Sequence, residues 1–172
     1  MSNPIPTAKQ LLTTLVNAAN ADGKQWTADE LVFGVPQVAM GEHNTRISVT
    51  ATDTETYTGS RELSYQRVAL SAASKGQQAT IVLDEAITTT VELAALLRTK
   101  YKVNLDPEDV ISEPLSLGEP GSISEHVVTS ALTSLKWYGA ITVQVTQALI
   151  DLADAIPNNL LDGLTLDMLA IE

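Results

Sequence analysis

Apolar residues recur along this chain in two rhythms, one of three and four positions and one of two. From Ala8 to Ala21, the residues Leu11, Leu12, Leu15, Val16 and Ala19 fall on one stripe of a helix. Thr7 is placed to cap that helix and Gly23 to end it. A similar stripe of Val91, Ala94, Ala95 and Leu97 follows the hydroxyls of Thr88, Thr89 and Thr90, which can supply a second cap. In "TRISVTAT" the period changes to two. Ile47, Val49 and Ala51 alternate with Arg46, Ser48 and Thr50, which predicts a half-buried strand. A second strand is expected in "YTGSRELSYQRVAL", with Tyr57, Leu63, Tyr65 and Val68 on its apolar side. Further strands are expected at Thr80–Leu83 and in "WYGAITVQV".

Between helix and strand stands "QWTADELVFGVP", Gln25 to Pro36, and "VNLDPEDVISEP" resembles it in the second half. The pairing sets Trp26 with Leu105, Thr27 with Asp106, Glu30 with Asp109 and Leu31 with Val110. Thr27 with Glu30 is a capping box, and Asp106 followed by Pro107 is a cap with proline at the first helical position. Each starts a single turn, which Gly34 and Pro36 stop in one place and Pro114 in the other. The offset is 79 from Thr27 to Asp106 and 80 from Tyr57 to Trp137, which puts Gly139 under Gly59 and Val143 and Val145 under Leu63 and Tyr65.

This pattern predicts an α+β fold of two tandem copies of a small helix-plus-antiparallel-sheet module, with a C-terminal helix and apolar tail. Residues 1–84 would hold the first module, 85–146 a diverged second, and 147–172 the helix and tail. One helix on a small sheet leaves a face uncovered, so two copies bury what each exposes. In the last segment, Leu149, Ile150, Leu152, Ala153 and Ile156 predict a helix stopped by Pro157. Beyond it, Leu160, Leu161, Leu164, Leu166, Met168, Leu169 and Ile171 need cover. Asn158, Asn159 and Gly163 suit a chain folding back on its own body, and docking on a neighbour is the alternative.

Composition narrows the function. A hydrophobic fraction of 44% and a charged fraction of 18% over 172 residues are those of a globular chain, and seven aromatics leave the core to Leu, Val, Ile and Ala. A net charge of −11 argues against nucleic acid and anionic membrane surfaces as partners. The one basic knot, Arg98–Lys102, suits a helix C-terminus. There is no run long enough to span a membrane, and "MSNPIPTAKQ" lacks the pattern of a signal peptide, so a soluble protein made in the cytosol is expected.

Cysteine is absent. His43 and His126 stand apart from metal-ligand spacings and are expected in surface loops. Asp53 and Glu55 fit a solvated turn better than a calcium loop. The pairs Asp84 with Glu85 and Asp151 with Asp154 are the candidates for carboxylate catalysis, but they sit at ordinary helix-start and helix-face positions. No nucleophile or phosphate-loop motif occurs. The expectation is therefore a non-enzyme with no catalytic, cofactor-binding or metal residue.

The order "LLTTLVNAAN", "WTADELVFGVP", "NTRISVTAT", "YTGSRELSYQRVAL" resembles small structural proteins of large tailed bacteriophages. In these a helix, an LTxxDVxfGxP element and a YTGSxxxxYxR strand recur, sometimes in tandem. The likeness covers residues 7–70 well and the second half more loosely, where the Tyr and Arg matching Tyr65 and Arg67 are missing. It implies a non-enzymatic virion component, head-decorating or otherwise on the particle surface. Its partners would be capsid or tail subunits and further copies of itself. The alternatives are a tail or baseplate component, or a small carbohydrate-binding module using Tyr57, Trp137 and Tyr138 as exposed aromatics.

Overall fold

The computed structural model describes residues 5–84 and 86–149. Its fold is α+β, with two helices and several small sheets. Helix α1 spans Ala8–Ala19 and α2 spans Thr90–Tyr101. Both open with a capping box, in which orphan amides of the first turn are satisfied by side chains. Thr7 Oγ1 accepts from the Gln10 amide at 3.2 Å while Gln10 Oε1 accepts from the Thr7 amide at 2.8 Å. Thr89 and Glu92 repeat the exchange at 3.3 and 3.0 Å. The two motifs after the helices form single 3-10 turns, Ala28–Glu30 and Pro107–Asp109, each closed by its own capping box.

The first sheet is built around β3, Thr45–Ala51, whose Thr45, Ile47 and Val49 are buried and whose Arg46, Ser48 and Thr50 are exposed. Strands β1 (Leu31–Phe33) and β2 (Gln37–Val38) pair antiparallel along one edge of β3, and β4 (Arg61–Tyr65) pairs antiparallel along the other. The expected long second strand is therefore broken. Tyr57 lies in the turn before it, and the chain leaves the sheet after Tyr65, continuing as β5 (Val68–Ala69) with Val68 turned to solvent. The break follows from Arg67, whose amide is held by Asn44 Oδ1 at 2.8 Å while its guanidinium reaches Ser134 O in the second half at 3.0 Å.

In the second half, β6 (Ala79–Leu83) lies parallel to β9 (Ala140–Gln147), which pairs antiparallel with β7 (Ile123–Thr129) in the order β6-β9-β7. Strand β8, Trp137–Tyr138, pairs parallel with β5 and so ties the two halves together. The sequence reading placed no strand at Ile123–Thr129, because its apolar residues Ile123 and Val127 face outward and only Val128 is fully covered. On α2 the buried face is Thr90, Leu93, Ala94 and Leu97, with Ala95 exposed, so the stripe is rotated from the expected one.

Pairing geometry recurs between the halves. Leu31 pairs with Ala51, and 79 positions on Val110 bridges Ser130. Glu30 O accepts from Thr52 N at 2.9 Å, and Asp109 O from Ala131 N at 2.8 Å. Ile47 faces Leu63, and His126 faces Val143. Gly59 and Gly139, 80 positions apart, hold φ of 83° and 78°, a backbone region that side-chain-bearing residues avoid. The cores differ in size. Fifteen buried residues cluster under α2 and three, Leu12, Ile47 and Tyr65, under α1. The expected C-terminal helix and tail lie outside the described residues beyond Leu149.

Candidate functional site

Polar groups concentrate at the seam between the halves. The buried Asp109 carboxylate, at the end of the second 3-10 turn, accepts from the Asp106 amide at 2.9 Å and Ser134 Oγ at 2.7 Å, and faces Lys136 Nζ at 2.9 Å. Lys136 also meets Asp106, which is paired with Arg98 at 2.6 Å. Burial alone would raise the Asp106 carboxyl, but the hydrogen bond and charge of Lys136 and the charge of Arg98 outweigh it and hold the group below its ordinary range. Arg67 is buried with neutral oxygens: Nε donates to Thr45 Oγ1 at 3.0 Å, and Nη1 donates to Ser134 O and, at 3.3 Å, to Trp137 O. Tyr65 Oη donates to Leu135 O at 3.0 Å, and burial pushes its hydroxyl up to about 12 despite the nearby Arg67.

This network is satisfied from within. No buried side-chain polar atom among the described residues lacks a partner. Its ions and hydroxyls are committed to backbone and to one another across the two halves.

The residues singled out by sequence are scattered. His43 is exposed in the bend before β3. His126 is not in a loop but on β7, half-buried, with Nε2 at 2.9 Å from Ser124 Oγ. Asp53 Oδ1 accepts from the Glu55 and Thr56 amides at 3.1 Å each, a side-chain-closed turn. Hydrogen bonding from Thr56 holds that carboxyl below its usual range. Asp84 is exposed in the bend after β6, and Glu85, Asp151 and Asp154 lie outside the described residues. No group of three or more potential metal ligands occurs among the described residues.

The three aromatics do not form one platform. Tyr57 packs on Trp26 at 4.9 Å between ring centroids, with Lys24 over both rings. Trp137 is buried, with Nε1 donating to Asn104 O at 2.9 Å. The carbohydrate-binding alternative needs Trp137 exposed, whereas its alignment with Tyr57 at the start of a strand favours packing. Its place in β8, pressed between Val68 and the core under α2, removes it from the surface.

Two apolar features remain on the outside of the first half. One is the segment around β2, where Val35, Val38 and Met40 are 58%, 77% and 100% exposed. The short β2 pairs through Gln37 and Val38 only, so this hairpin stands on the rim of its sheet. The other is α1. Of its expected stripe Leu12 is buried and Val16 half-buried, while Leu11 is 38% and Leu15 55% exposed, and Leu12, Leu15 and Val16 border a groove of about 120 Å³ that reaches Ile47, Leu63 and Tyr65. The leucines were legible in the sequence, but their exposure was not. No described helix is long and apolar enough to cross a membrane.

The chain belongs to a family of unknown function, DUF7941, whose model matches residues 1–167. No curated protein and no solved structure matches it.

Proposed function

We propose that this member of family DUF7941 is a non-enzymatic structural component of a tailed-phage virion, a head-decorating or other particle-surface protein that works through protein–protein contacts. The observation that carries this reading is the exposed apolar hairpin of Val35, Val38 and Met40, which contributes nothing to the core and offers a partner surface the area that specific contacts bury. The resemblance over residues 7–70 supplies the particle. The partners are capsid or tail subunits and further copies of this chain, and its charge of −11 suits a basic partner surface or open solvent. The sugar-binding reading gains no support, since Trp137 is buried.

Within this protein we read two tandem copies of one helix-plus-sheet module, 1–84 and 85–146. Support comes from the capping boxes at Thr7 and Thr89 and at Thr27 and Asp106, and from the strand registers that recur at offsets of 79 and 80. Superposing Cα traces of residues 7–70 and 87–146 in experimental coordinates tests it, and a different strand order would refute it.

Quantitative mass spectrometry of purified particles tests the role. Many copies per particle are expected, as a surface lattice requires. A handful would move the protein to the neck, tail or baseplate, and none would end the virion reading. In the same particles Val38→Asp with Met40→Asp should abolish incorporation while leaving the melting temperature of the free protein unchanged.

A further inference from the structure

The cluster at the seam holds a primary amine against a carboxamide. Lys136 Nζ donates to Asn104 Oδ1 at 3.2 Å while it stands between the carboxylates of Asp106 and Asp109. The side chain of Lys136 is 10% exposed and that of Asp109 2%, so little water competes for either.

Both partners are held in place. Asn104 Nδ2 donates to Pro6 O at 2.9 Å, which fixes the plane of the carboxamide, and the Asn104 carbonyl accepts from Trp137 Nε1 at 2.9 Å. The Lys136 carbonyl accepts from Val68 N at 2.9 Å, which fixes the lysine at the start of β8. The first half has no such arrangement. At the place of Asn104, 79 positions earlier, Gln25 Nε2 turns back to Asn20 O at 3.3 Å, and Lys24, the cation of Glu30, is exposed.

We propose that Lys136 and Asn104 are the partners of a slow, self-catalysed isopeptide bond, with the ion-paired cluster as its precursor. The inference stands independently of the particle role. Asn104 Cγ lies one carbonyl bond, about 1.2 Å, behind Oδ1, so rotation about the last bonds of the lysine brings Nζ over that carbon. Held groups in such an arrangement react as though at very high concentration. Nζ first passes a proton to Asp109, 2.9 Å away. The transfer turns an ion pair into a neutral amine and a neutral acid and strands no charge, and the desolvation already suffered by the pair lowers its cost. Asp106 stays compensated by Arg98. The Nζ lone pair then forms a bond to Cγ, and the Cγ–Nδ2 bond breaks. Nδ2 takes the proton held by Asp109 and a second one released from Nζ, and departs as ammonium. Lysine ammonium and carboxamide have become a secondary amide and free ammonium, with no oxidant, reductant or co-reactant. Asp109 is again a carboxylate, now accepting from the new amide N–H. The bond joins the segment after α2 to the start of β8, and the escape of ammonium into solvent makes it one-way.

Intact-mass spectrometry of the freshly purified full chain, repeated through a long incubation, tests the proposal. The mass should fall by that of one ammonia, and digestion of the aged protein should yield a branched peptide joining Asn104 to Lys136 in place of the two linear ones. Asn104→Ala and Lys136→Arg should keep the masses of their sequences. In Asp109→Asn the bond should form about a hundredfold more slowly or not at all, and an unchanged rate would overturn the role given to Asp109. A parent mass that stays at the sequence value, with both linear peptides recovered, would overturn the proposal. So would the same loss traced to a cyclised asparagine within a linear peptide. Both readings come from the parent chain, so they decide even where a variant fails to fold.

Discussion

The core cluster under α1 holds three buried residues, Leu12, Ile47 and Tyr65, while fifteen close together under α2, although each helix opens with a capping box and each is followed by a one-turn punctuation and an antiparallel pair. The difference lies in what lines the edge of that pair. With β6 in place, Leu93 and Leu97 are sealed. No strand equivalent to β6 pairs with β4 among the described residues, and Leu11 and Leu15, as far from their cap as Leu93 and Leu97 are from theirs, are 38% and 55% exposed. An amphipathic stripe thus specifies which face of a helix is available for burial, and a neighbouring element decides whether it is buried.

The capping boxes of the 3-10 turns make the same point in polar chemistry. Glu30 is half-buried and paired with Lys24 at 2.7 Å, whereas Asp109, at the same place in the other capping box, is buried with a lysine, a serine and an amide around it. Asp109→Ala should be the most damaging substitution available to this comparison. It removes the acceptor of the Asp106 amide and of Ser134 Oγ and leaves Lys136 with Asp106 as its remaining ion partner, and should cost about 3–5 kcal/mol in denaturant unfolding, whereas Glu30→Ala should move the midpoint only slightly. Comparable losses would mean that the seam is wetter than its geometry implies.

Next in size are the matched leucines. Leu97→Ala should cost about 2–5 kcal/mol as a large-to-small change at a sealed position. Leu15→Ala, at a position 55% exposed, should cost no more than roughly 0.5 kcal/mol, as a surface change does. Smaller still is the glycine pair, which probes likeness instead of difference. At Gly59 and Gly139 an added Cβ meets nothing within 4 Å, so Ala should cost only the backbone strain, about 1–2 kcal/mol and equal at both. Unequal values would separate the two turns.

The smallest effect is a titration. The Lys24 hydrogen bond, with those of Thr27, brings the Glu30 carboxyl down to about 2. A depressed carboxyl stabilises the fold above its ordinary pKa near 4.5, and that contribution disappears as pH falls toward 2. Carboxyl NMR should place the Glu30 midpoint near 2 and show it rising in Lys24→Met. An unmoved midpoint would show that the lysine has no hold on it.

What could be read from sequence alone was chemistry that acts over a few positions. The caps at Thr7, Thr27 and Asp106 pair a side chain with an amide three residues away, and the alternation of Ile47 and Val49 follows from the pleat of one strand, so neither needs the rest of the molecule. The offsets of 79 and 80 rested on such local signals, and the pairings of Ile47 with Leu63 and His126 with Val143 fall at those spacings. Tertiary structure decided the rest. Strand β7 hides its role because its exposed Ile123 and Val127 break the expected alternation, and the parallel pairing of β6 with β9 joins segments some sixty residues apart through backbone groups that carry no sequence label. Nothing local to Arg67 or Asp109 marks them for burial, which comes from the seam that closes over them, and Leu11 and Leu15, on the stripe expected to face a core, are exposed beside a β4 edge that no strand pairs with among the described residues. Burial is a property of the pair of surfaces that meet, and the sequence of one surface determines only what it offers.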